Sequence, residues 1–264
     1  MAISTPIIFA SVISISAAEA VRSGKAQVDW MSATTAYEVG KPVKTAIRLT
    51  VDEHWHTYWI NPGDGGMKFS ATWELPVGWT ASELEYPLPK RFMTGELAGF
   101  GYEGTVIFPV SFTPPVGFTG TATLKAKFTW LTCNDDSCIP GNAQLELTLQ
   151  AGILTKTTTD EAKWIEQSAN HVPITAPPLM TLTVTEKPKF LQLSMEGFQP
   201  DADHLETLEV FPATAEVIES NAKFQWTKNG NSWIAEVPKS PYLTAPLHEL
   251  TLILADKTTA RPIS

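Results

Sequence analysis

Cysteine is the scarcest residue in this chain: 264 residues contain two, Cys133 and Cys138, separated by four others. A bond between them closes a very short loop, so a disulfide cannot staple segments that are distant in sequence. Basic runs are also missing. The net charge of −9 comes without a Lys/Arg block or stripe, which argues against nucleic acid or an anionic membrane surface as partner. After Ala20 no run of 18 apolar residues occurs, so the sequence beyond it predicts no membrane-spanning helix. There is no clear internal repeat, and nothing matches the spacing of a zinc motif.

What is present predicts a packed β protein. A hydrophobic fraction of 43% with 18% charged residues is enough for one or two cores. Nine Trp and twenty Pro point to many short, punctuated strands. Residues 1–20 have the pattern of a signal peptide: an apolar, small-residue run from Pro6 to Ala18, then Ala18-Glu19-Ala20, although the usual positive start is missing. The mature chain would begin near Val21, in an exported compartment.

Period-two alternation predicts about eight strands between residues 26 and 150, the spacing of a β-sandwich. They are marked by Val28 and Trp30, by Val43 to Leu49, by His54 to Trp59, and by Phe69, Ala71 and Trp73. Leu84 with Tyr86, Val106 to Phe112, Leu124 to Trp130, and Leu145 to Leu149 mark the rest. Arg91 to Gly104 is glycine-rich and predicts a loop, unusual in carrying Phe100 and Tyr102. Thr158 to Glu161 forms a capping box before Trp164, Ile165, Ala169 and Val172, and Pro173 ends the run, so residues 153–172 predict a helical connector. Residues 173–264 form a second, smaller β-rich region, with a hairpin signal at Asn229-Gly230.

The chemistry concentrates in Trp130 to Gly141, W-L-T-C-N-D-D-S-C-I-P-G. In the chain-entropy treatment a loop this small stabilises by only about 2 kcal/mol, which suits exchange better than stapling. Along the preceding strand, Leu124, Ala126, Phe128 and Trp130 share one face, while Lys125, Lys127, Thr129, Leu131 and Cys133 share the other. Cys133 is therefore expected on the more polar face, unless a bulge intervenes. Asp135 and Asp136 are turn formers whose charge disfavours a neighbouring thiolate. His54, His56 and Tyr58 are expected on one strand face, opposite Trp55, Thr57 and Trp59. Three readings stay open: a redox-active pair, an inert disulfide in a non-enzymatic β-sandwich binding module, and a Cu(I) or zinc site using the cysteines with His54 or His56.

Three stretches then resemble a known family in order and separation: His54 to Gly66 (H-W-H-T-Y-W-I-N-P-G-D-G-G), Gly99 to Val110 (G-F-G-Y-E-G-T-V-I-F-P-V) and Trp130 to Gly141. They are similar to the N-terminal periplasmic domain of DsbD-type protein-disulfide reductases, especially the ScsB-like branch linked to copper tolerance. The resemblance covers residues 26–150 well and the second region more loosely. It implies an all-β chain: an immunoglobulin-like β-sandwich over residues 21–152, one short helix, then a second, smaller β-sandwich. It also implies that Cys133 and Cys138 take electrons from a membrane electron-transporting protein and pass them to thioredoxin-like periplasmic proteins, with no cofactor. By the same resemblance Phe100, Tyr102 and Glu103 cap the pair, Tyr58 lies beside it, and Cys138 attacks. The cysteine spacing is one residue shorter than in the best-known DsbD domains. These 264 residues contain no multi-span region and no thioredoxin-like C-x-x-C. The expected electron source is thus a separate membrane protein or the remainder of a longer chain, unless the relay role has been lost.

Overall fold

The computed structural model describes residues 19–152, 160–198, 208–255 and 262–264. Residues 1–18 of the expected leader lie outside these, as do Thr158 and Thr159 of the expected helix cap. In chain order the first strands are β1 (Val21–Ser23), β2 (Ala26–Ser32), β3 (Ala36–Tyr37), β4 (Val43–Val51), β5 (His56–Gly63) and β6 (Ser70–Glu74). They continue with β7 (Thr80–Ala81), β8 (Lys90–Thr94), β9 (Leu97–Glu103), β10 (Thr105–Thr113), β11 (Thr121–Cys133) and β12 (Cys138–Ala151).

These strands form two facing sheets. One is ordered β1-β2-β4-β10-β7; the other is ordered β3-β12-β11-β5-β9-β8, with β6 also paired to β11. The alternation read from the sequence supplies the core between them. Trp30, Phe112, Phe128 and Trp73 meet at centroid distances of 5.0–6.2 Å, and Phe69 stacks on Phe108 at 4.7 Å. Leu84 and Tyr86, expected as a strand, lie outside regular structure. Pro87 and Pro89 deny that segment a continuous ladder, and Tyr86 is fixed instead by its hydroxyl, which donates to the Phe69 carbonyl at 2.5 Å.

The stretch from Arg91 to Gly104 is not a loop but mainly the hairpin β8–β9, turning at Gly95 with φ 61°. Its glycines are there for close approach rather than flexibility. A Cβ on Gly101 would lie 1.9 Å from the Thr57 carbonyl oxygen, and one on Gly99 would lie 2.4 Å from the Phe92 ring. The N-P-G-D-G-G run braces this hairpin: Asp64 N–H donates to the Ala98 carbonyl at 2.9 Å, and its carboxylate accepts the Ala98 N–H at 3.0 Å.

The expected connector helix, α1 (Asp160–Ser168), does more than connect. Ile165 packs with Met31 and Ala46 on the outer face of the first sheet, and Trp164 lies 4.8 Å from the Arg48 guanidinium. Beyond it come β13 (Thr181–Glu186), β14 (Phe190–Glu196), β15 (Glu209–Pro212), β16 (Thr227–Asn229), β17 (Ser232–Pro238) and β18 (Leu252–Ala255). The Asn229-Gly230 hairpin forms as expected between β16 and β17. A four-stranded sheet, β13-β14-β17-β16, accompanies the two-stranded ladder β15-β18. That ladder serves two cores, because its residues alternate. Val210, Leu252 and Leu254 belong to the second core, whereas Phe211, Ile253 and Ala255 belong to the core of the first sandwich.

Polar contacts cross the same seam. Arg91 of β8 donates to the carbonyls of Ser220, at 3.0 Å, and of Val210, while its guanidinium sits 4.9 Å from Phe100 and 5.0 Å from Phe211. Asn61 donates to the Pro212 carbonyl at 2.7 Å. Replacing Arg91 by Ala strips two acceptors of a donor and should lower the unfolding free energy by about 1–3 kcal/mol. Lysine should recover only part, since one ammonium cannot reproduce a planar fork held between two rings. Gly101→Ala should also cost about 1–3 kcal/mol by overpacking against Thr57. Urea titration followed by tryptophan fluorescence measures all three variants.

Candidate functional site

Strands β11 and β12 pair without interruption from Thr121 opposite Gln150 to Cys133 opposite Cys138. No bulge intervenes, so Cys133 does lie on the face of Thr129 and Leu131, as its parity requires. The two cysteines end the ladder, are disulfide-bonded, and have Cα atoms 4.1 Å apart. Between them Asn134 organises the turn: its side-chain oxygen accepts the N–H groups of Asp136 at 3.1 Å and Ser137 at 2.8 Å. Asp135 and Asp136 are exposed at the tip, with their carboxylates in solvent beside the pair.

The pair is asymmetric. Cys138 is exposed, whereas Cys133 is 0% exposed. Its polar-side parity did not foretell this, because the covering comes from strands that sequence spacing does not connect. His56 pairs with Cys133 across the β5–β11 ladder and with Glu103 across the β5–β9 ladder. Directly opposed residues project from the same face, so Cys138, Cys133, His56 and Glu103 form one row across four strands. Tyr58, two residues along from His56, shares that face and is 4% exposed.

A ring cluster lies on the same face, around His56. The His56 ring lies 4.0 Å from that of Phe92 and 5.3 Å from that of Tyr58, with Tyr58 and Phe92 5.7 Å apart. The His56 Nε2 and the Tyr58 hydroxyl are 3.4 Å apart. Phe92 reaches across β9 over the bare backbone of Gly99 and Gly101, a common use of an aromatic against strand glycines. Burial lowers the His56 pKa below the ordinary imidazole value, opposed by the charges of Glu103 and Asp135. Burial likewise raises the Tyr58 phenol. Burial thus favours the neutral form of both rings.

The residues expected around the pair divide between two faces. Glu103 stays on the cysteine face, exposed and 3.6 Å from the Lys90 ammonium. Phe100 and Tyr102 have the opposite parity and point into the core. Phe100 packs against Trp59 and Phe211. Tyr102 donates to the Pro87 carbonyl at 2.7 Å and meets Phe108 edge-on. The ring over the cysteine face is thus Phe92, whose sequence signal was the Gly99-x-Gly101 gap in the facing strand. His54 departs as well. It precedes β5 with φ 65° and is solvent-exposed beside Glu53, so it does not share a strand face with His56. Among the described residues no group of three metal-ligating side chains occurs, and the histidine pair considered for copper or zinc is split.

Comparison with known proteins bears on the family and the fold. Residues 27–150 match the family model described as thiol:disulfide interchange protein DsbD, N-terminal. The crystal structure of the N-terminal periplasmic domain of ScsB from Proteus mirabilis superposes with a TM-score of 0.65 at 20% identity, over 90% of this chain and 91% of that one. At that identity the likeness shows the fold. A second structure, entitled "AvmM Catalyzes Macrocyclization in Alchivemycin A Biosynthesis", reaches a TM-score of only 0.23 at 13% identity, over 50% of this chain and 93% of that one, and carries no argument. No curated protein matches the chain. The unbroken cysteine hairpin, the immunoglobulin-like sandwich that holds it and the family match converge: residues 27–150 are a domain of the DsbD N-terminal family.

Proposed function

We propose that this chain is a periplasmic thiol–disulfide exchange protein, passing reducing equivalents from a membrane electron-transporting protein to thioredoxin-like partners through Cys133 and Cys138. The observation that carries this reading is the asymmetry of the pair: exposed Cys138 is bonded to buried Cys133 at the end of a ladder whose register is already fixed. A stapling disulfide has no need of an accessible sulfur. An exchange pair needs one sulfur that a partner can reach and one that it cannot.

The step follows from that arrangement. In the reduced pair the Cys138 thiolate attacks a partner disulfide, forming a Cys138–partner bond as the partner's other sulfur leaves with the electron pair. Cys133 then attacks the Cys138 sulfur, the intramolecular bond forms, and the partner departs fully reduced. Two electrons pass to the partner, and the dithiol becomes the disulfide. Asp135 and Asp136 keep the attacking sulfur mostly protonated between encounters. The β8–β9 hairpin, through Phe92 rather than Phe100 or Tyr102, covers His56 beside the buried Cys133 and leaves Cys138 open to a partner.

Two measurements test the reading. With an oxidised thioredoxin-like protein, Cys133→Ser should accumulate a mixed disulfide through Cys138, and Cys138→Ser should not. Trapping by neither, with no exchange in the wild type, would sink the relay. The pair's reduction potential should lie above about −300 mV, below which structural disulfides typically fall; a value under that limit favours the inert binding module instead. Equilibration against a thiol redox buffer supplies the number.

A further inference from the structure

Exchange requires both sulfurs to shed a proton, and only one of them meets water. Cys138 is exposed and can pass its proton to solvent. Cys133 is 0% exposed, so the proton it must lose before it can attack has to go to a group inside the protein. The neighbouring polar groups are few. The Thr132 hydroxyl is committed to the Ile139 carbonyl at 2.9 Å. The Tyr58 phenol is a proton donor rather than an acceptor at neutral pH, because burial raises it further. Glu103 stands one strand farther along the row, behind His56, and is drawn outward toward Lys90. Asp135 is exposed in the turn.

His56 is the direct cross-strand partner of Cys133, with the Cβ spacing of about 4.5–5.5 Å that opposed residues have. Its ring meets the Tyr58 hydroxyl through Nε2 at 3.4 Å, a long contact that leaves the imidazole a free lone pair in its neutral form. We propose that His56 is the proton acceptor for Cys133 in the resolving step, a role that rests on the exchange reading above.

The charges around the ring fit that task. Facing it are Glu103 on β9 and Asp135 in the cysteine turn, both of which favour an imidazolium once formed. Tyr58 on its own strand and Phe92 on β8 are uncharged, and Lys90, also on β8, is turned to Glu103. Before reaction, burial favours the neutral ring, which is able to accept. In the mixed disulfide the Cys133 S–H gives its proton to His56, and the resulting thiolate forms a bond to the Cys138 sulfur. The bond from Cys138 to the partner breaks, with its electron pair leaving on the partner sulfur. The proton on His56 then passes to that departing thiolate or to water.

Ellman's reagent, 5,5′-dithiobis(2-nitrobenzoic acid), separates the two steps with the whole reduced protein. Attack by Cys138 releases one coloured thiolate, and attack by Cys133 on the resulting mixed disulfide releases the second. His56→Asn should leave the first phase unchanged and slow the second at pH 7 by about tenfold or more. The variant's second phase should also climb with pH toward the free-thiol range near about 8.5, whereas the wild type's should be level above the imidazole range. Tyr58→Phe, which keeps the ring stack and removes only the hydroxyl, should slow the second phase alone, by a smaller factor. Equal slowing of both phases in His56→Asn, or a second phase with the wild-type rate and pH profile, overturns the proposal. The relay reading fails separately: wild-type protein that exchanges nothing with an oxidised thioredoxin-like protein would still give the two-phase release.

Discussion

In an antiparallel ladder the face of every residue is set by the face of its neighbour, so an uninterrupted run of pairs transmits a constraint along its whole length. The β11–β12 ladder runs from Thr121 opposite Gln150 to Cys133 opposite Cys138 with no shift of register. The same parity that sends Leu124, Phe128 and Trp130 into the core sends Cys133 to the other side. Slipping this hairpin by one residue would expose three large side chains, at roughly 1.5–3 kcal/mol each, and would bring Cys133 round to the core face. The position of the cysteine pair is therefore held by hydrophobic packing elsewhere on the strand, not by the disulfide.

The hairpin β8–β9 is constrained from two directions. Toward the cysteines its bare glycines let Phe92 lie against His56. Toward the second region Arg91, the adjacent residue on the same strand, is held by two carbonyls and two rings. Neighbouring strand residues face opposite ways, so one residue covers the site while the next one anchors to β15. The strand that carries the covering ring thus also carries an interface that includes Asn61 and Phe211. The second region consequently bears on the site without contributing a residue to it.

Much of this was legible in the sequence because it follows from local period. The core faces of β4, β10 and β11, the Asn229-Gly230 hairpin and the parity of Cys133 all came from alternation and turn chemistry. What escaped depends on pairing between segments far apart. A glycine-rich stretch reads as a loop until it is known that Thr57 and Phe92 press against Gly101 and Gly99, where a side chain would not fit. Phe100 and Tyr102 looked like a cap while they were placed on a loop; on a strand their parity takes them to the core. His54 was assigned to a strand face by spacing alone, but the turn before β5 gives it a left-handed backbone and turns it to solvent. The burial of Cys133 was illegible for the same reason, since His56 lies 77 positions away in sequence and meets it only through the β5–β11 ladder.

A thiol–disulfide exchange domain must keep one structure in both redox states, or each exchange would carry a refolding cost. Here the bond closes a loop of four intervening residues at the end of a ladder that is already paired, and its contribution of about 2 kcal/mol is small beside a typical folding free energy of about 5–15 kcal/mol. The turn has supports of its own, because Asn134 holds it through three hydrogen bonds to Asp136 and Ser137 that involve neither sulfur. Breaking the bond is therefore expected to change two side chains and to leave the register of the ladder, which the core sets, in place. With the register held, Cys133 keeps its place in the row between Cys138 and His56. The register that the core enforces keeps the reduced pair at bonding distance, and that proximity is the main contribution the fold can make to exchange.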